Sequence, residues 1–128
     1  MSLFNNFFGA TPQEETNSKI NWLQLIDISQ LDEIEEISNS KLVVIFKHST
    51  RCSISRMALR QFENEFVTNE NVLPYYLDLL NHRDISNEIA SRFSVVHQSP
   101  QLLIVNKEKC IHNASHSDID AGVIKNYL

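Results

Sequence analysis

A chain of 128 residues with 42% hydrophobic side chains is sized and supplied for one compact domain with one buried core. Its formal charge of −5 provides no basic field of the kind that draws proteins to nucleic acid or anionic lipid, so neither is expected as a partner. No apolar run approaches the roughly 20 residues that cross a bilayer, which excludes a membrane-spanning helix.

The chain opens on "MSLFNNFFGATPQ", which has no Lys or Arg and whose apolar stretch is broken by Asn5 and Asn6. That is no export leader, so a cytoplasmic location is expected, where reducing conditions keep Cys52 and Cys110 as free thiols. Leu3, Phe4, Phe7 and Phe8 follow helical spacing and read as an arm docked on the domain, the alternative being a partner or membrane anchor. The polar stretch "ATPQEETNSK" reads as a linker. Residues 1–20 are thus assigned to an arm and linker, and 21–128 to the domain.

"WLQLI" (22–26) is the first predicted strand. Ser29 with Asp32 three residues later forms a capping-box pattern that starts a helix over "QLDEIEEIS", with Leu31, Ile34 and Ile37 on one face. "LVVIF" (42–46) is a continuous β-branched and aromatic run, the pattern of a strand covered on both faces. From Ser53 the period becomes helical, with Ile54, Ala58, Phe62 and Phe66 four apart and supported by Met57 and Leu59. "VLPYYLDLL" (72–80) is a strand with Pro74 near its start, and "HRDISNEIASRF" (82–93) an amphipathic helix through Ile85, Ile89, Ala90 and Phe93. After "SVVHQSP" come the strand "QLLIV" (101–105), the turn "NKEK" and the returning arm "CIHN" (110–113). Strict alternation puts Cys110 and His112 on one face of that arm and Ile111 and Asn113 on the other. "SDIDAGVIKNYL" is expected as a closing helix with Ser117 as candidate cap, and no internal repeat is present. The order βα, βα, βα, ββα implies parallel early strands with an antiparallel hairpin added to the same sheet. This is a thioredoxin-like α/β topology, a mixed β-sheet flanked by helices.

Cys52 lies where the apolar strand gives way to a helix. The free N–H groups and positive dipole end of a helix start favour a thiolate, and Arg51, Lys47 and a protonated His48 are local cations that would add to the effect. A thiolate so placed is a nucleophile poised to attack a disulfide. The competing reading, an inert small apolar residue, fits poorly with neighbours as polar as Thr50, Arg51 and Ser53. Ser55 occupies the place where a dithiol oxidoreductase has its second cysteine. A hydroxyl there cannot close a disulfide but can donate to the thiolate, unless Ser55 is simply an ordinary first-turn residue. Ser99-Pro100 precedes the fourth strand, in a loop that the topology turns toward Cys52. A cis bond would aim the Ser99 backbone N–H and C=O at the sulfur, with His97 and Gln98 flanking the groove; a trans strand-start proline is the alternative. The candidate catalytic residues are therefore Cys52 and Ser55, and the candidate substrate-binding residues His48, Arg51, His97, Gln98, Ser99 and Pro100. Cys110 is either a structural thiol or a distant resolving or regulatory one. His48, Cys52, His97, Cys110, His112 and His116 lack the paired spacing of a metal site, and none is expected.

"FKHSTRCSIS", "HQSPQLLIV" and "ASHSDI" together resemble the bacillithiol-system redox-active proteins, monothiol bacilliredoxin-like members of the thioredoxin superfamily, over roughly residues 20–128. The resemblance implies that Cys52 is the active-site cysteine, Ser55 stands at the resolving position and Pro100 is the cis-proline. It also implies client proteins carrying a mixed disulfide with a low-molecular-weight thiol such as bacillithiol, which serves as co-substrate with no further cofactor. Ser53 departs from the pattern, since relatives often have Pro after the cysteine, and Cys110 is not explained by it. The leading expectation is a monothiol thiol-disulfide exchange enzyme that removes the small thiol from proteins. A non-catalytic thioredoxin-fold binding module with a passive or regulatory thiol is the alternative, and a peroxidatic cysteine ranks below both.

Overall fold

The apolar run at 42–46 forms the centre of the sheet. In the computed structural model, which describes residues 20–128, it extends to β2 (Leu42–His48), every residue of which is buried. The other strands are β1 (Leu23–Gln24), β3 (Val72–Asp78), β4 (Gln101–Asn106) and β5 (Lys109–Ser115), in spatial order β1-β3-β2-β4-β5. β3 runs parallel to both β1 and β2, whereas β4 is antiparallel to β2 and β5 to β4. The expected mixed sheet is therefore the one formed. Pro74 pairs with Val44, one residue before β1 begins to pair with β3 at Tyr75, so the missing amide faces a place with no ladder partner. The arm and linker assigned to residues 1–20 fall outside the described residues except at Ile20, which is buried.

Helices α1 (Gln30–Ile37) and α3 (Arg83–Arg92) cover one face, burying Leu31, Ile34, Ile85 and Ile89 against Val43, Ile45, Leu77, Leu103 and Val105. Helix α2 (Ser53–Glu65) and the C-terminal segment cover the other, where Phe62, Ile119 and Ile124 meet Val44, Phe46, Leu102 and Ile104. The alternation of β2 thus serves two cores, which is why its sequence reads as unbroken hydrocarbon. The apolar stripe expected on α2 is only half used. Phe62 is buried, but Ile54 and Met57, in the first turns of the helix, are 57% and 67% exposed.

Three local expectations are corrected. Ser29 makes no capping bond; its hydroxyl and amide both bond the Asp27 carboxylate, and Gln30 Oε1 takes the Ile26 and Asp27 amides instead. Asp27 takes the Ser29 amide and Ser29 is already helical (φ −66°, ψ −18°), so neither half of the capping box forms. The closing segment is two 3₁₀ stretches, His116–Asp118 and Ala121–Tyr127, and not one α-helix; Asp120, not Ser117, caps the longer stretch by accepting from the Gly122 amide. Finally, β5 carries a bulge: Val105 pairs with Cys110 but Ile104 with His112, leaving Ile111 extra. One added residue reverses the side-chain phase, so Cys110 packs on the α1/α3 face and His112 lies with Ile104 on the opposite one.

Candidate active site

β2 ends at His48, and four residues later Cys52 is the N-cap of α2, in extended conformation (φ −108°, ψ 123°). Ser49 O accepts from the Cys52 amide at 3.2 Å, and Cys52 O accepts the first helical bond from Arg56 at 3.0 Å. The sulfur caps no amide of the first turn, which also contains no acidic side chain. Cys52 is half-buried and Arg51 exposed. The Arg56 guanidinium bonds Thr50 O at 3.2 Å, which ties the connecting loop to the helix.

Ser55 is wholly buried and its hydroxyl links strand to helix: Oγ accepts from the Ser49 amide at 3.0 Å and lies 2.7 Å from His48 Nδ1. Donation to the Cys52 sulfur, expected from the spacing, is not among its contacts. His48 itself is buried, its ring against Phe46 and Tyr76. Across the ladder from it is Asp78, whose Oδ2 accepts from Asn81 at 2.8 Å while Oδ1 is buried with no hydrogen-bond partner. Sequence reading did not single out Asp78, since only the parallel register brings it beside His48.

The Ser99–Pro100 bond is cis, Pro100 is buried, and the Ser99 hydroxyl is enclosed with no hydrogen-bond partner. Pro100 O accepts from the His116 amide at 3.1 Å. Gln98 and His97 are exposed at the rim of this segment. Gln101, buried on β4, holds the segment from below: its Nε2 donates to Val96 O at 3.0 Å and its Oε1 accepts from the Gln98 amide at 3.4 Å. His97 Nδ1 lies 2.8 Å from Lys47 Nζ and 3.3 Å from Ser86 Oγ. Burial, then the charges of Lys47 and Arg83, lower the His97 pKa, so its ring is neutral near pH 7.

Lys47 does not join the cations around Cys52. It follows Val43 and Ile45 onto the face covered by α3, and its amine bonds His97. Strand alternation in "VVIFKH" contained that signal, because Lys47 and His48 must point to opposite faces. The second thiol is also remote. Cys110 pairs with Val105, which pairs with Val43; from there β2 runs five residues to His48, roughly 17 Å at 3.4 Å per residue. That exceeds the ~7 Å Cα separation a disulfide can span, so Cys110 cannot resolve Cys52 within one folded chain. Burial pushes the Cys110 thiol pKa up, and its sulfur lies 3.3 Å from His112 O. Among the described residues no three His, Cys, Asp or Glu side chains gather as a metal site.

A family model described as monothiol bacilliredoxin BrxC matches residues 23–124. The chain belongs to the monothiol bacilliredoxin family. A solved structure described as an oxidoreductase with a thioredoxin fold is 32% identical, the match covering 81% of this chain and 90% of that one at a TM-score of 0.69. Thioredoxin of Malassezia sympodialis (18% identity, 95% of each chain, TM-score 0.60) and mitochondrial thioredoxin 3 of Saccharomyces cerevisiae (14%, 83% and 92%, 0.63) are similar in fold. The family and the fold together make this a thiol redox protein. Among the described residues no helix is long and apolar enough to cross a membrane.

Proposed function

We propose that the chain removes a low-molecular-weight thiol, bacillithiol by family resemblance, from S-thiolated proteins in the cytoplasm, with Cys52 as the nucleophile. The observation that carries this reading is the placement of a half-buried cysteine at the uncapped start of α2, with a buried hydroxyl three residues on and the other cysteine out of reach. The sulfur belongs to the N-cap residue of α2, at the positive end of the helix dipole, and the first turn carries no acidic side chain to oppose an anion there.

In the first step the Cys52 thiolate attacks the small thiol's sulfur in the mixed disulfide. The new S–S bond joins Cys52 to the small thiol, the old one breaks, and the client leaves as a thiolate that takes a proton from water. No net oxidation occurs. A second molecule of the small thiol then attacks the adduct, regenerating Cys52 and leaving as the symmetric disulfide. Ser55 cannot perform that second step, which makes the external thiol obligatory. The Ser55–His48 pair fixes the helix start to β2, and Arg51, His97, Gln98 and Ser99 border the place where the client binds.

Mass spectrometry of a bacillithiolated client tests the reading. The wild-type protein should release the client thiol and acquire one bacillithiol on Cys52, and Cys52→Ala should do neither. Equal release by both proteins would remove Cys52 from the reaction.

A further inference from the structure

A buried amine stands outside the chemistry described so far. Lys47 is 0% exposed and lies on the sheet face opposite α2. Its ladder neighbours are Leu77 of β3 and Gln101 of β4, its amine meets His97 Nδ1, and Ser86 of α3 meets that same ring nitrogen. The titratable groups on this side are His97, Tyr75 of β3 and Cys110 of β5, with Arg83, Asp84, Glu88 and Arg92 on α3; of these, the charge of Arg83 acts on the His97 ring. No carboxylate of the described residues lies within ion-pair distance of the amine. The His97 ring is neutral near pH 7, so Nδ1 accepts from the Lys47 ammonium at 2.8 Å. Gln101 holds the same segment by its own two bonds. The stretch that ends in Pro100 therefore hangs from the sheet on buried polar side chains, one of them a cation with no counter-charge.

We propose that Lys47 is a positioning residue which, through His97, fixes the segment before Pro100 that receives the thiolated client opposite Cys52. This rests on the exchange reaction proposed above. Burial lowers the Lys47 pKa from 10.5 to about 8, because the enclosed amine is desolvated. Loss of the ammonium charge replaces a charge-assisted bond to His97 by a weaker neutral one, so the hold on the segment slackens as pH rises through about 8.

The test measures steady-state release of bacillithiol from a client between pH 6.5 and 9.5, together with hydrogen exchange of the Val95 and Gln98 amides corrected for intrinsic rate. In Lys47→Met the client KM should rise about tenfold at pH 7 with kcat within about twofold, and amide protection in the segment should fall about tenfold. The wild-type KM should climb with a midpoint near pH 8, a step absent from Lys47→Met. His97→Leu severs the same contact from the exposed side and should reproduce both effects should Lys47→Met fold poorly; the double variant should add nothing. Unchanged segment protection in both variants, or a pH step that persists in them, overturns the proposal. If the wild type fails to release bacillithiol, the exchange reading falls, while the amide measurement still decides whether Lys47 holds the segment.

Discussion

The fully buried Lys47 ammonium, bonded to His97, gives up its hydration without gaining a carboxylate, and that sets a measurable stability cost. A shift from 10.5 to about 8 corresponds to roughly 3 kcal/mol at 1.36 kcal/mol per unit. The sign follows from proton counting. Below pH 8 both folded and unfolded chains carry the proton, and the folded state bears the full penalty. Between about 8 and 10.5 the unfolded chain binds more protons, so stability rises with pH across that window. Lys47→Met, which keeps the length and drops the charge, should therefore be more stable than wild type at pH 7 by about 1–3 kcal/mol, and the difference should shrink as pH approaches 10.5. Urea denaturation of the pair at several pH values checks this, and taking the difference cancels the remaining titrations, such as that of Tyr75, whose pKa burial raises.

The β4–β5 hairpin shows how one element leans on another. Its two-residue turn places both Lys107 (φ 52°) and Glu108 (φ 68°) in the left-handed region, where asparagine and glycine are at ease and long side chains are not. What holds them there is Ser38, the buried residue closing α1: its carbonyl accepts from the Lys107 amide at 2.8 Å and its hydroxyl from the Glu108 amide at 2.8 Å. Because both bonds use backbone donors, replacing the pair as Lys107→Asn with Glu108→Gly keeps them and relieves the turn. A gain of about 1 kcal/mol is expected in thermal or denaturant unfolding, after loss of two exposed bonds, Asn39 to the Glu108 carboxylate and the Lys107 amine to Asn39 O. The turn at "NKEK" was legible in the sequence, but the bulge at Ile111 was not, since strict alternation is the default and only the observed register reveals the skipped residue.

Across the whole molecule, the fold and the position of Cys52 could be read from the chain because "LVVIF" and the switch of period at Ser53 each carry strong local preferences. What could not be read depends on contacts distant in sequence: the direction of Lys47, the diversion of the Ser55 hydroxyl to His48, and the shortening of the C-terminal helix to 3₁₀ turns. The separation of the two thiols has a consequence at this scale. Oxidation of the folded protein by bacillithiol disulfide should yield a single adduct on Cys52 and no internally bridged species; a form two mass units lighter than the reduced chain, seen in native-state mass spectrometry, would contradict the geometry. Trp22, the chain's sole tryptophan, has its indole N–H on Glu63 at 2.7 Å and its ring stacked on Phe62, both residues of α2. Long-wavelength emission from this molecule thus comes wholly from a fluorophore fastened to the helix that Cys52 begins, so the seating of that helix can be followed by light during turnover without attaching a dye.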